Sequence, residues 1–190
     1  MSMNIFCIQL YRVLPSIVLV SIFAAMSVGK YFALGSFFFD MEALLTSFHY
    51  VNDRGEIGRI FLGHAPVVAV PYLVALKGIP GNLVAPVILT LQALALATPF
   101  WFLYRYFGRF AALAFVLYVP LWINNYFDFH FDHLAVPLLL WFFLSATSEK
   151  PVRAAVAAFL LMTVKEPFAL QAMACGVFLV WMGCRPSPDS

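Results

Sequence analysis

Read from its start, the chain alternates long apolar blocks with short polar breaks, not the strict in-out alternation of a half-buried strand. Residues 13–29, 83–104, 110–123, 134–147, 154–164 and 168–183 each lack Asp, Glu, Lys and Arg. A bilayer core about 30 Å thick needs about 20 apolar residues in a helix, with about 17 as the lower limit. Block 83–104 meets that requirement with room to spare, and 154–164 needs help from its flanks. A seventh apolar block, 65–76, is short and holds Pro66 and Pro71, which predicts a re-entrant or interfacial helix. It closes with a breaker-rich turn at 77–82. The pattern therefore predicts an all-α, polytopic transmembrane bundle of about six spans in one domain covering residues 1–190. Residues 30–82 form an outer loop that carries the short helix 65–76.

Composition supports lipid as the solvent. The chain is 64% hydrophobic and 11% charged, with a mean hydropathy of +0.93, where soluble domains carry about 45–50% apolar and about 25% charged residues. The first block also has the look of a signal peptide, with Arg12 before it and the small residues Ser27 and Gly29 at its end. An uncleaved span is preferred, because the rest of the chain also belongs in a membrane. The net charge of +2 gives no case for nucleic acid as a partner. Cys7, Cys175 and Cys184 are far apart and show neither redox nor zinc spacing.

Charge in the loops sets the direction. With six spans, Arg12, Arg105, Arg109, Lys150, Arg153 and Arg185 fall on one side, and Lys165 alone among the short loops falls on the other. The positive-inside rule then puts both termini in the cytoplasm of a multi-pass inner-membrane or plasma-membrane protein. The same arrangement carries Asp40, His64, Asp128, His130, Asp132, His133, Lys165 and Glu166 to the outer side.

Acids and histidines at the ends of membrane helices are costly unless paired or wet, so they are functional candidates. Asp128, His130, Asp132 and His133 sit within six residues. They read either as a wet loop with an aromatic belt or as a site for a phosphate-linked headgroup, a proton or a divalent cation. No third metal ligand is fixed by the spacing, so no metal site is assigned, and a divalent cation is the one cofactor left open. Lys165 and Glu166 read as a snorkelling lysine with a local ion pair, or as a cation for a lipid phosphate held by its neighbour. Asp40, after the aromatic run 37–39, reads as a solvated helix end or as a general base.

Taken in order, four pieces resemble a known pattern. They are Phe39-Asp40, then His64 and Pro66 opening an apolar helix, then Asp128-Phe129-His130 followed by 134–137, and finally Lys165-Glu166. The order resembles the bacterial membrane proteins grouped as domain of unknown function 2079, which are similar to the GT-C superfamily of glycosyltransferases. The resemblance runs over about residues 13 to 183 and matches the N-terminal part of longer family members. Leu45 and Thr46 stand where the family usually has Asp and Gln, Phe131-Asp132 where it has Pro-Glu, and Pro167 where it has Asp.

The resemblance implies a GT-C-like core that transfers a sugar from a polyprenyl-phosphate donor at the outer face. Asp40 would be the catalytic base. Asp128, His130 and Lys165 would lie around the donor phosphate, His64 would contribute to substrate binding, and Glu166 would support Lys165. Membrane lipid is then the expected partner, and a further subunit would supply the remaining spans. A non-catalytic membrane subunit and a small transporter are the alternative readings. The transporter class expects polar residues at mid-membrane depth, and the blocks offer little beyond Thr90, Gln92 and Gln171.

Overall fold

A computed structural model describes residues 2–34, 39–55, 67–127 and 129–181, the side chains of 2–12, 34, 39, 40, 52–54, 69 and 166 excepted. These residues form nine α-helices and one 3-10 turn, with no strand among them. In chain order the helices are α1 (Ser2–Leu34), α2 (Phe39–Arg54), α3 (Ala69–Ala75), α4 (Gly81–Phe107), α5 (Arg109–Val116) and α6 (Val119–Tyr126). The 3-10 turn (Phe131–Leu134), α7 (Ala135–Thr147), α8 (Pro151–Val164) and α9 (Glu166–Trp181) follow. Two stretches are long and apolar enough to cross a membrane, Val13–Ala33 within α1 and the whole of α4. Shorter apolar helices cover Phe131–Thr147, Pro151–Val164 and Pro167–Trp181.

The chain divides into two compact units, one of residues 1–46 and 79–130 and the other of 47–78 and 131–190. In the first unit α1 packs along α4, and α6 packs on both. The buried positions of α4 are Val84, Ala85, Ile88, Leu89, Gln92, Ala93, Leu96 and Ala97, with Pro99 beyond them. Adjacent pairs repeating every fourth residue form one stripe on a 3.6-residue helix. From α1, Leu19, Phe23 and Ser27 are buried at the same four-residue spacing. Phe23 meets Trp122 of α6 edge-on, with ring centroids 4.9 Å apart.

Block 110–123 departs from the single span predicted for it. It is two helices, α5 and α6, each of 8 residues, with Tyr118 extended between them at φ −72° and ψ 100°. The cause is Pro120. Proline has no N–H for the carbonyl four residues back, and its ring would strike that carbonyl. The freed acceptor is the Val116 carbonyl, and the Trp122 indole N–H donates to it instead.

The second unit centres on α7, α8 and α9, which pack against one another. Ala135, Phe142, Ala154, Ala157, Leu161, Ala172 and Leu179 form its buried cluster. The small residues of α8, Ala154 and Ala157, are buried in that cluster and let neighbouring helices approach closely. The turn from α7 to α8 is a Schellman motif, in which Lys150 N–H donates to the Ser145 carbonyl (3.0 Å) and Glu149 N–H to Ala146 (3.4 Å). Glu149 takes the left-handed position at φ 56°, and Pro151 opens α8.

The segment 30–82, predicted as an outer loop, is also more helical than expected. Among its described residues, block 65–76 holds α3, 7 residues long and about 10 Å in rise, far short of a bilayer core. Its polar neighbour 39–54 is helix α2, where Met41, Leu44, Phe48 and Val51 are buried.

Candidate functional site

Polar side chains gather in two places, one in each unit. In the first unit they hold the segment that carries Asp128 and His130. The end of α6 leaves orphan carbonyls, and α1 supplies donors for two of them. Ser27 Oγ donates to the Asn125 carbonyl at 2.7 Å, and Lys30 Nζ donates to the Tyr126 carbonyl at 3.0 Å. The Lys30 ammonium also lies 5.1 Å from the centre of the Tyr126 ring, within cation–π range. Asn125 is fully buried and donates its amide back to the Phe23 carbonyl at 3.0 Å.

Beyond α6 the chain turns out of helix, Phe129 is buried, and His130 N–H donates to Gln92 Oε1 of α4 at 3.4 Å. Gln92 is 1% exposed. Its Nε2 and the Asn125 Oδ1 have no hydrogen-bond partner among the described residues. Buried polar atoms in this state are uncommon and mark sites of function or of bound solvent. Asp128 lies outside the described residues, while the residues on either side of it are anchored from α1 and α4.

In the second unit the centre is Lys165. Pro167 cannot continue α8 into α9, so the chain breaks and Lys165 is extended at φ −168° and ψ 150°. Its carbonyl accepts from Phe168 N–H at 3.1 Å, which starts α9. The Lys165 ammonium reaches back to Asp132 Oδ2 at 3.2 Å, and the two side chains are 46% and 38% exposed. Asp132 sits in the 3-10 turn beside His133, whose side chain is fully buried. Phe131 of the same turn meets Tyr72 of α3 edge-on, at 5.7 Å between centroids. Burial pushes the Tyr72 phenol up to about 12, so it remains a protonated donor at any physiological pH. Val68 N–H, at the start of α3, donates to the Thr163 carbonyl at 3.2 Å, which ties α3 to the end of α8.

The expected residues fare differently. Lys165 and His130 lie among the described residues, with the contacts above. Asp40 lies in the first turn of α2 and Glu166 opens α9, with their side chains outside the described set. His64 and Asp128 lie wholly outside it. Among the described residues, no group of three His, Cys, Asp or Glu gathers as a metal site would. Sequence reasoning missed Asp132 as the partner of Lys165, and it missed Gln92 and Lys30 as anchors of 126–130. For Gln92 the signal was present, since it is one of few polar residues in an uncharged block. For the Asp132–Lys165 pair, which lies 33 residues apart in the chain, no local signal exists.

No family model matches the chain, and no curated protein or solved structure matches it either.

Proposed function

We propose that the protein crosses the inner or plasma membrane six times, with both termini in the cytoplasm, and handles a phosphate-bearing lipid at its outer face. The observation that carries this reading is the Lys165–Asp132 pair. An ammonium held at a helix break, at the end of an apolar helix and half open to its surroundings, suits an anionic headgroup at the lipid interface. An exposed pair of this kind is worth only about 0–1 kcal/mol. A phosphate can therefore take over Lys165 at little cost.

In its fuller form the proposal is a GT-C-like glycosyltransferase that uses a polyprenyl-phosphate sugar. Asp40 takes the proton of the acceptor hydroxyl as that oxygen bonds to the anomeric carbon. The bond from the anomeric carbon to the phosphate oxygen breaks, and its electron pair leaves with the phosphate. Lys165 offsets charge on that phosphate, Glu166 supports Lys165, and His64, Asp128 and His130 contribute to substrate binding. This form is supported by the ordered motifs of the sequence alone.

The test is transfer from a polyprenyl-phosphate sugar in reconstituted vesicles. Asp40→Asn is expected to cut transfer by about 10²-fold or more while leaving insertion unchanged. Full transfer by that variant removes Asp40 as the base. A second reading, a non-catalytic membrane subunit, is favoured by Leu45 and Thr46 standing where the family carries Asp and Gln. It expects an inactive protein that co-purifies with a partner supplying further spans.

A further inference from the structure

The first unit carries a groove that the proposed function does not use. It lies between α1 and α4 and is lined by Val13, Ser16, Ile17 and Val20 on one side and by Ala97 and Trp101 on the other. Its volume is about 420 Å³, within the range of about 300–1,000 Å³ typical of ligand sites. Both walls are the helices long and apolar enough to cross a bilayer.

The walls are almost free of available polar groups. Thr98 Oγ1 donates to the Leu94 carbonyl at 2.7 Å and Ser21 Oγ to the Ile17 carbonyl at 2.9 Å. These hydroxyls are satisfied within their own helices, so their methyl and methylene surfaces face the groove without cost. Ser16 differs, because its Oγ is sequestered and has no partner among the described residues. The groove thus offers hydrocarbon contact along its length and no accessible hydroxyl.

Charge lies at one end. Leu94, Ala97, Thr98 and Trp101 recur at the spacing of a single helix face. Arg105 is the next position on that face, one turn beyond Trp101 and within the last turn of α4. An apolar groove with an arginine one turn beyond its wall is complementary to a hydrocarbon chain that ends in an anion, since Arg binds phosphate through its planar fork. Length narrows the choice further. The lining runs from Val13 to Ser21 on α1 and from Leu94 to Trp101 on α4, about 12 Å of helix rise. That is close to the depth of one leaflet, half of a core about 30 Å thick.

We propose that the α1–α4 groove binds one acyl chain of an anionic diacyl phospholipid, with the phosphate at Arg105. The inference rests on α1 and α4 being membrane spans and is independent of any glycosyl transfer. Retention of the full chain in alkali-washed membranes checks that premise separately.

Trp101 in the groove wall provides the readout. The purified full-length protein, in neutral detergent, is titrated with dibromostearoyl phosphatidylglycerol or with dibromostearoyl phosphatidylcholine, whose bromines quench a tryptophan in contact. The expected result is saturable quenching, with phosphatidylglycerol bound about fivefold more tightly, the effect of one cationic side chain at a membrane surface. Trp101→Phe removes the saturable component and so assigns it to the groove. Arg105→Gln abolishes the preference between the two lipids and leaves quenching itself. Thr98→Phe, which fills a partly exposed wall position, removes saturable quenching by both. Equal, non-saturating quenching by the two lipids overturns the proposal, as does a preference that survives Arg105→Gln. Crosslinking of two copies through cysteines at Ile17 and Leu94 also overturns it, because a second helix would then fill the groove.

Discussion

Lys165 is the residue on which the functional reading turns, and its partner separates that reading from a bland one. If the ammonium is held for a phosphate, Asp132 competes with the ligand. Asp132→Asn then tightens binding of undecaprenyl phosphate by up to about fivefold, the upper value of an exposed pair. Lys165→Met weakens it by about tenfold or more, as expected for a lost charge-assisted contact. Thermal-shift titration with that lipid measures both, and a weakening by Asp132→Asn makes the pair structural. The sequence picked out Lys165 but pointed to Glu166 as its support, because adjacency is all that a linear reading can see. Asp132 arrives by tertiary folding of the 3-10 turn onto α8. A second residue-scale test concerns Glu149, whose positive φ is a Schellman position that favours glycine. Glu149→Gly is expected to stabilise the protein by about 1 kcal/mol, the left-handed penalty of a residue with a Cβ, read as a higher unfolding midpoint.

At the scale of elements, the apolar blocks translated directly into helices wherever nothing interrupted them, as in α4. Prolines within a block acted unevenly: Pro15, Pro86 and Pro99 stand inside continuous helices, whereas Pro120 interrupts one. Pro120 divides 110–123 into α5 and α6, and the break survives because the Trp122 indole satisfies the Val116 carbonyl. Trp122→Phe keeps the ring that packs on Phe23 and removes that donor. The expected loss is about 1 kcal/mol, the low end for an unsatisfied acceptor because this site is part-buried, measured by reversible denaturation in detergent. Helix α2 was hidden for the opposite reason. Its buried positions 41, 44, 48 and 51 follow helical spacing, but the intervening Glu42, His49, Asp53 and Arg54 lower the mean hydropathy that marks a span. The block pattern detects apolar helices and passes over amphipathic ones.

For the whole molecule, direction across the membrane is the property everything else depends on, and the structure improves the way it can be measured. The residues that end α6 face different surroundings. Asn125 is fully buried, whereas Phe127 is 44% exposed and Tyr106, at the end of α4, is 63% exposed. With the native cysteines replaced by serine, Phe127→Cys is expected to react with an impermeant maleimide from outside, and Tyr106→Cys only after permeabilisation. The reverse pattern overturns the six-span topology. Loop charge is the sequence feature from which this orientation is predicted. The contacts that hold 126–130 were not legible, because they join α1 and α4 to residues about a hundred positions away from Ser27 and Lys30.

The short helices of the second unit carry a consequence for where such a protein resides. α8 has 14 residues and α9 has 16, about 21 and 24 Å of rise. As spans they fall several ångströms below a hydrocarbon layer about 30 Å thick, and hydrophobic mismatch costs a fraction of a kcal/mol for each ångström. A bilayer that thins around this bundle relieves the cost, and one built from shorter acyl chains avoids it. Thermal stability in vesicles is therefore expected to peak at chain lengths below those of the bulk membrane and to fall as the lipids lengthen. If α8 and α9 are spans, the same mismatch would sort the protein toward the thinnest membrane it can reach.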